Sequence, residues 1–297
     1  MPELPEVETT RRGLIGPLRG NRIETIIVRI PRLRWPVPEE ITRELPGQTI
    51  QGISRRGKYL LFHTMAGTMI LHLGMSGSLR IIPASIPPEK HDHADFILEK
   101  IHEGPLCREQ SCLRFRDPRR FGAILWTDAA VSPLTHPLLA KLGPEPVEDG
   151  VCENGPSGNE SVERRFSGDW LFRVSRNRRT PVKCLLLDGA VLAGIGNIYA
   201  NEALFRAGVL PDRSAGELSL REYGTLARAI RETLTDAIAS GGTTLRDFFQ
   251  SDGKPGYFQQ KLLVYGRAGR PCPRCGRPIE QVRIGQRSSF FCRGCQA

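Results

Sequence analysis

Two groups of residues in the 297-residue chain are of the type and spacing that do chemistry, one at each end. The first is Met1-Pro2-Glu3-Leu4-Pro5-Glu6-Val7-Glu8. A small residue such as proline in second position permits removal of Met1, which would leave a secondary amine at the terminus. An α-amino group titrates near about 7.7–8.0, so little tuning frees it at neutral pH. The positive end of a helix dipole further disfavours its protonated form. A neutral amine is a nucleophile, and amines form Schiff bases with carbonyls. Glu3 and Glu6, three apart, share one face of a helix. Leu4, Val7, Leu14 and Leu18 mark the opposite, apolar stripe. The same residues also suit a plain amphipathic surface helix with proline and carboxylates in its first turn.

The second group is Cys272-x2-Cys275, followed after sixteen residues by Cys292-x2-Cys295. This is the spacing of a four-cysteine zinc site. Four thiolates in a tetrahedral array close the coordination sphere, so one structural Zn2+ is expected. Between the pairs, Ile279–Ile284 and Ser288–Phe291 are predicted strands joined by a Gly285-Gln286 turn, which puts Arg287 near the tip of a hairpin. Cys107, Cys112, Cys152 and Cys184 lack such spacing and read as ordinary thiols, although Cys107-x4-Cys112 leaves a metal pair open. His91-x-His93 reads as a pair of strand-edge histidines, one of which could touch DNA, with no companion ligand nearby.

The elements that must position these groups differ along the chain. Ile23–Val28, Thr49–Ser54, Lys58–His63, Thr68–Leu73, Ser78–Ile82 and Ala94–Leu98 are short and separated mostly by Gly or Pro, the pattern of a sandwich or barrel. Arg55-Arg56-Gly57-Lys58 places three cations just before a strand. Asp117-Pro118-Arg119-Arg120-Phe121-Gly122 reads as a turn presenting two arginines and an aromatic. That combination suits phosphate contact with insertion between bases, and equally a solvated basic turn with a core Phe. Ser132 to Gly168 loses the strand pattern and reads as linker or surface insertion. From Trp170 the pattern is helical, with a basic stripe through Arg173, Arg176, Arg178, Arg179 and Lys183. Gly194-Ile195-Gly196-Asn197 suits a tight turn into a helix whose free N–H groups would face a phosphate, with Asn197 as a possible cap. Leu218–Ser240 is a further long helix, and Ser251–Gly256 lies in a glycine-rich loop.

The net charge of +10 points to a polyanionic partner. No signal peptide is legible, and no apolar run approaches the roughly 18 residues of a membrane helix. A cytoplasmic protein whose cysteines are thiols or metal ligands is expected.

Taken together, PELPEVETTRRGL, RRGKYL, HLGMSGSLR, KHDHADF, DPRRFGA, GIGNIYANEALF, SDGKPGYF and the four-cysteine hairpin resemble bacterial formamidopyrimidine-DNA glycosylases, in family order from residue 2 to residue 296. The resemblance implies an α+β fold: an N-terminal β-sandwich with an N-terminal helix, then a helix–two-turns–helix domain with a zinc-finger β-hairpin, and DNA in the cleft between the halves. The expected divisions are 1–132 (catalytic sandwich), 133–168 (linker or insertion), 169–261 (helix–two-turns–helix) and 262–297 (zinc hairpin). The implied activity is excision of oxidised purines, 8-oxoguanine and formamidopyrimidines, followed by strand cleavage at the abasic site. Pro2 would be the nucleophile at C1′, Glu3 the general acid, and Lys58 a phosphate contact that serves in elimination. Met75, Arg119 and Phe121 would fill the gap left by the flipped nucleotide. His91, Arg119 and Arg178 fall at DNA-contact positions. Asn197 and Arg287 would clamp phosphates, with Arg287 also implicated in the second elimination. The Gly241–Tyr257 loop would cover the extruded base. The partner would be double-stranded damaged DNA, no membrane is involved, and a bacterial, cytoplasmic monomer is expected.

Ile101–Leu113 and Gly150–Gly168 look like surface insertions relative to the family, and Arg178 stands where lysine is often found. Two rivals are an endonuclease VIII-type glycosylase acting on oxidised pyrimidines and a noncatalytic zinc-dependent nucleic-acid-binding protein.

Overall fold

The computed structural model describes residues 1–99, 110–148, 165–242 and 262–297. Cys107, Cys152, the Ser251–Gly256 loop and most of the two expected insertions lie outside the described residues. The chain divides into two compact units, the first built mainly from Met1–Ala140.

Helix α1 (Leu4–Leu18) opens the first unit. Pro5 in its first turn needs no N–H partner there and presets the helical φ. Leu4, Val7, Leu14 and Leu18 are fully buried, as the apolar stripe requires. Glu6 and Glu8 are fully buried too, so α1 is a core element and not a surface helix.

Eight strands follow: β1 (Arg22–Val28), β2 (Gly52–Arg56), β3 (Tyr59–His63), β4 (Gly67–His72), β5 (Ser78–Pro83), β6 (Asp92–Glu99), β7 (Ser111–Arg116) and β8 (Ala123–Asp128), with a short helix α2 (Glu40–Glu44) after β1. They form two antiparallel four-stranded sheets in the orders β1-β6-β7-β5 and β2-β3-β4-β8. Ile23, Leu79, Phe96, Leu98, Leu113 and Phe115 of one sheet share a core with Ile53, Leu60, Phe62, Met69, Leu71 and Ile124 of the other and with Val7, Leu14 and Leu18 of α1. This is a β-sandwich carrying the N-terminal helix.

Two sequence expectations need correction here. Residues 111–113 of the expected excursion belong to β7, which pairs with both β5 and β6. Its signal is masked because the buried Arg114 interrupts the apolar pattern; the guanidinium is instead satisfied by both oxygens of Asp95, at 2.8 and 2.9 Å. Arg55 and Arg56 are buried inside β2, so the strand expected to end at Ser54 runs on to Arg56.

The second unit contains α3 (Gly168–Ser175), α4 (Val182–Leu187), α5 (Asn197–Ala207), α6 (Leu220–Ala239) and the hairpin β9 (Glu280–Ile284) and β10 (Arg287–Phe291). Ser167 caps α3 by accepting from the Trp170 N–H at 3.1 Å, and Phe166 is buried. Residues 166–168 are therefore a helix start and not insertion. A Cβ at Gly168 would lie 2.6 Å from the Gly224 Cα, so glycine permits close approach of the backbone to α6. Ser219 and Glu222 form a capping box on α6, whose Tyr223, Leu226, Ile230 and Leu234 are fully buried. No described helix is long and apolar enough to cross a membrane.

Candidate active site and metal centre

The N-terminal amine lies in a desolvated, charged setting within the first unit. Pro2 and Glu3 are buried. The Glu6 carboxylate accepts from the Glu3 N–H at 2.8 Å, which fixes the approach of the chain into α1. Burial holds the Met1 amine below its ordinary value. Glu3 and Glu6 oppose that shift, and the charges of Lys58 and Arg119 reinforce it. Amine, acid, Lys58 and Arg119 thus act on one locality, although they come from α1, the β2–β3 turn and the turn before β8. A Cβ at Gly242, where φ is +75°, would stand 3.2 Å from Glu6 Oε1, so this glycine also borders the site.

A buried carboxylate that the sequence did not advertise builds the second part. Asp117 is fully buried. Its Oδ1 accepts from Ser76 Oγ at 2.8 Å and its Oδ2 from the Gly122 N–H at 2.7 Å. The Asp117 carbonyl is 2.7 Å from His93 Nε2, and its N–H donates to the His91 carbonyl at 3.0 Å. These bonds hold the 117–122 turn against the turn after β4. Gly74 sits so close that a Cβ there would lie 2.4 Å from the Gly122 nitrogen. On this rigid base stand Met75, 37% exposed, and Phe121, 43% exposed, with the Arg119 guanidinium 4.9 Å from the Phe121 ring centroid. An exposed aromatic on a buried polar scaffold rules out the core reading of Phe121. His91, just before β6, is brought to the same turn through its carbonyl.

His72 borders this region. Its Nδ1 accepts from the Gly74 N–H at 3.0 Å. Burial, then the nearby charges of Lys58 and Arg34, push it down to about 4, so it is neutral near pH 7. Cys112 is also buried, and burial with the Asp95 charge pushes its thiol up to about 12, which fits an inert thiol.

In the second unit, Gly194 adopts φ +81° and turns the chain into α5. The cap position is Gly196, and Asn197 is the first helical residue. Its side chain is therefore not spent on its own helix. Asn197 Nδ2 donates to the Ser288 carbonyl at 3.0 Å, and the fully buried Lys183 donates from Nζ to the same carbonyl at 2.8 Å. The hairpin is thereby docked through Ser288, the residue after Arg287, which is the first residue of β10. Arg178 is half-exposed with a guanidinium nitrogen 3.9 Å from Asp188, on the same unit but without a link to Asn197.

The hairpin leads into the metal centre. The sulfurs of Cys272, Cys275, Cys292 and Cys295 all lie within 4.8 Å of one another. Cys272 and Cys295 are 3.8 Å apart, and Cys275 and Cys292 3.4 Å. Tetrahedral zinc with bonds of about 2.3 Å demands sulfur spacings of roughly 3.8 Å. The donor set and spacing fit one structural zinc. The entry to this module is held separately: Glu202 of α5 accepts from the N–H groups of Leu263, Val264 and Tyr265 at 2.8, 3.0 and 2.8 Å. Burial raises the Glu202 carboxyl above its ordinary value, against those three donors.

Comparison with known proteins agrees with this geometry. The formamidopyrimidine-DNA glycosylase N-terminal domain matches residues 1–124, its H2TH domain residues 157–249, and the zinc finger found in this family and in isoleucyl-tRNA synthetases residues 269–297. The formamidopyrimidine-DNA glycosylase of Alkalilimnicola ehrlichii is 54% identical, with 100% of both chains covered. Among solved structures, the MutM (Fpg) protein of Thermus thermophilus is 39% identical with a TM-score of 0.80, covering 99% of this chain and 98% of that one. A mutant Lactococcus lactis Fpg in complex with Fapy-dG-containing DNA is 33% identical with a TM-score of 0.84, covering 99% of each chain. The chain belongs to the formamidopyrimidine-DNA glycosylase family.

Proposed function

We propose that this enzyme removes oxidised purines from double-stranded DNA through a covalent intermediate on Pro2 and then cleaves the strand by β,δ-elimination. A base inside the stack is out of reach, so the nucleotide must be extruded, at a cost of a few kcal/mol. Phe121, Met75 and Arg119 occupy the vacated space and offset that cost. With Met1 removed, the Pro2 nitrogen forms a bond to C1′ as the glycosidic bond breaks and its electron pair leaves with the base. The attacking nitrogen then loses its proton, and the C1′–O4′ bond breaks with O4′ taking the proton from Glu3, which opens the sugar to an iminium. The iminium acidifies the C2′ proton, whose loss expels the 3′ phosphate, and a second elimination expels the 5′ phosphate. No redox cofactor enters this balance. Lys58 holds phosphate and serves in the elimination, His91 and Arg178 add DNA contacts, and Asn197 with Arg287 clamp the phosphates beside the lesion, Arg287 also assisting the second elimination. The enzyme acts as a monomer in the bacterial cytoplasm.

The observation that carries this reading is that Glu3, Lys58 and Arg119 all act on the buried Met1 amine, one residue from the nitrogen that removal of Met1 would free. Borohydride present during turnover should trap the Met1-free protein on DNA containing 8-oxoguanine opposite cytosine. Pro2→Gly and Glu3→Gln should lose strand cleavage, and protein that keeps Met1 should bind DNA without being trapped. Trapping by the Met1-bearing form would remove Pro2 from its role. Preference for thymine glycol would instead favour a pyrimidine-lesion enzyme.

A further inference from the structure

The Glu8–Arg55 pair is buried, yet it touches the turn that carries Lys58. Both side chains are 0% exposed, with Arg55 Nε 3.3 Å from Glu8 Oε2. Glu8 does not depend on Arg55 for neutralisation: its Oε1 also accepts from Arg11 Nη2 and Arg12 Nε, both at 2.8 Å. Burial pushes the Glu8 carboxyl up, but Arg11, Arg12 and Arg55 outweigh it and hold it below the ordinary range. Burying a further guanidinium beside a carboxylate already served is costly, so its value lies in geometry.

The other end of Arg55 shows what that geometry is. Arg56 pairs with Tyr59, which leaves Gly57-Lys58 as a two-residue hairpin loop. Gly57 has φ +56°, whereas Lys58 is not among the positive-φ residues. Positive φ at the first central position alone is the pattern of a type II′ turn. Arg55 Nη1 donates to the Gly57 carbonyl at 3.1 Å. That carbonyl belongs to the peptide linking Gly57 to Lys58, the unit whose orientation sets the turn type and hence the direction of the Lys58 side chain.

We infer that Arg55, held by Glu8, is a positioning residue that locks the Gly57–Lys58 peptide and aims Lys58 at the reaction centre. Glu8 lies on α1, the helix that begins at the terminal amine. The pair therefore ties the amine-bearing helix to the lysine turn through one buried link. This inference rests on the assignment of Lys58 to the elimination.

The test is a double-mutant cycle on the full-length, zinc-loaded protein, read as single-turnover cleavage of duplex DNA bearing an abasic site. A misplaced group costs on the order of 10- to 100-fold in rate. Arg55→Met should slow cleavage roughly tenfold in the native background and less than twofold when Lys58→Ala is already present, because groups acting through one another are not additive. Glu8→Gln, which keeps the volume and three arginine neighbours, should give a smaller loss that also vanishes beside Lys58→Ala; it carries the test if Arg55→Met melts early or loses zinc. Equal fold-losses for either variant with and without Lys58 would overturn the inference while leaving Lys58 in its role. Unchanged cleavage by Lys58→Ala alone would instead overturn the assignment of Lys58, and the inference with it.

Discussion

Ser76 Oγ donates to Asp117 Oδ1 at 2.8 Å across 41 residues of chain, and this bond joins the two turns that carry Met75, Arg119 and Phe121. The placement of Met75, Arg119 and Phe121 is thus set by a buried polar contact and not by their own exposed side chains. Asp117→Ala would leave Ser76 Oγ and the Gly122 N–H without their acceptor, at about 1–3 kcal/mol for each buried group. The expected result is a lower melting temperature together with at least tenfold weaker excision from duplex DNA. Ser76→Ala should show the same pattern more weakly, since Asp117 keeps its bond to Gly122. Calorimetry and single-turnover excision measure the two effects separately.

Phe121→Ala should behave in the opposite way. An exposed side chain contributes little to folding, so stability should stay within about 0.5 kcal/mol. Stacking of an aromatic on a base is worth about 1–3 kcal/mol by alanine substitution. Binding of lesion-containing duplex, followed by fluorescence anisotropy, should weaken roughly 5- to 100-fold. A melting shift without an affinity change would remove Phe121 from the DNA-inserting role.

The acid side of the stability profile should carry the signature of His72. Its folded value of about 4 lies below the ordinary 6.5 because burial, Lys58 and Arg34 all oppose its charge. The stability it contributes is complete above pH 6.5 and is lost as pH falls from there towards about 4. His72→Asn keeps an acceptor for the Gly74 N–H but does not titrate. It should flatten the pH dependence of the melting temperature between 6.5 and 4, and an unchanged slope would place the titration elsewhere.

Much of this was legible in the residues. The zinc centre follows from cysteine spacing alone, and the helix α1, the hairpin and most strands follow from periodicity and turn residues. What escaped is the set of long-range polar partners. Asp117 sat inside a motif whose arginines and phenylalanine drew the reading, and nothing local announces Ser76. The burial of Arg55 inside a strand went unread because its carboxylate partner is 47 residues away. β7 was hidden by Arg114, a charged residue at an interior position that becomes reasonable only beside Asp95. Asn197 read as a cap because the GxGN turn does not reveal which residue stays outside the helix. Each miss is a buried charge or hydrogen bond whose partner the chain brings from afar.

Arg287 and the metal should separate by salt. If Arg287 contacts a phosphate as proposed, Arg287→Ala should lower the slope of log affinity against log salt by about 1. Chelation of zinc should weaken binding further, since the whole hairpin loses its metal. Borohydride trapping on abasic DNA at saturating concentration should persist in both cases, because neither change touches the amine. Lost trapping at saturation would mean the hairpin takes part in the attack itself.

The three amides gathered by Glu202 have a consequence for how this module lives with its metal. An isolated zinc finger owes its whole structure to the ion. Here the strand entering the hairpin is fastened to α5 ahead of Cys272, and beyond Cys295 the Ala297 N–H and carbonyl bond with Gly208 and Leu210. Loss of the ion would open a segment clamped at both ends. Recapture should then be the closing of a tethered segment whose ends are still in place, so zinc restored to a chelated sample should return the hairpin without unfolding of the helices it is fastened to.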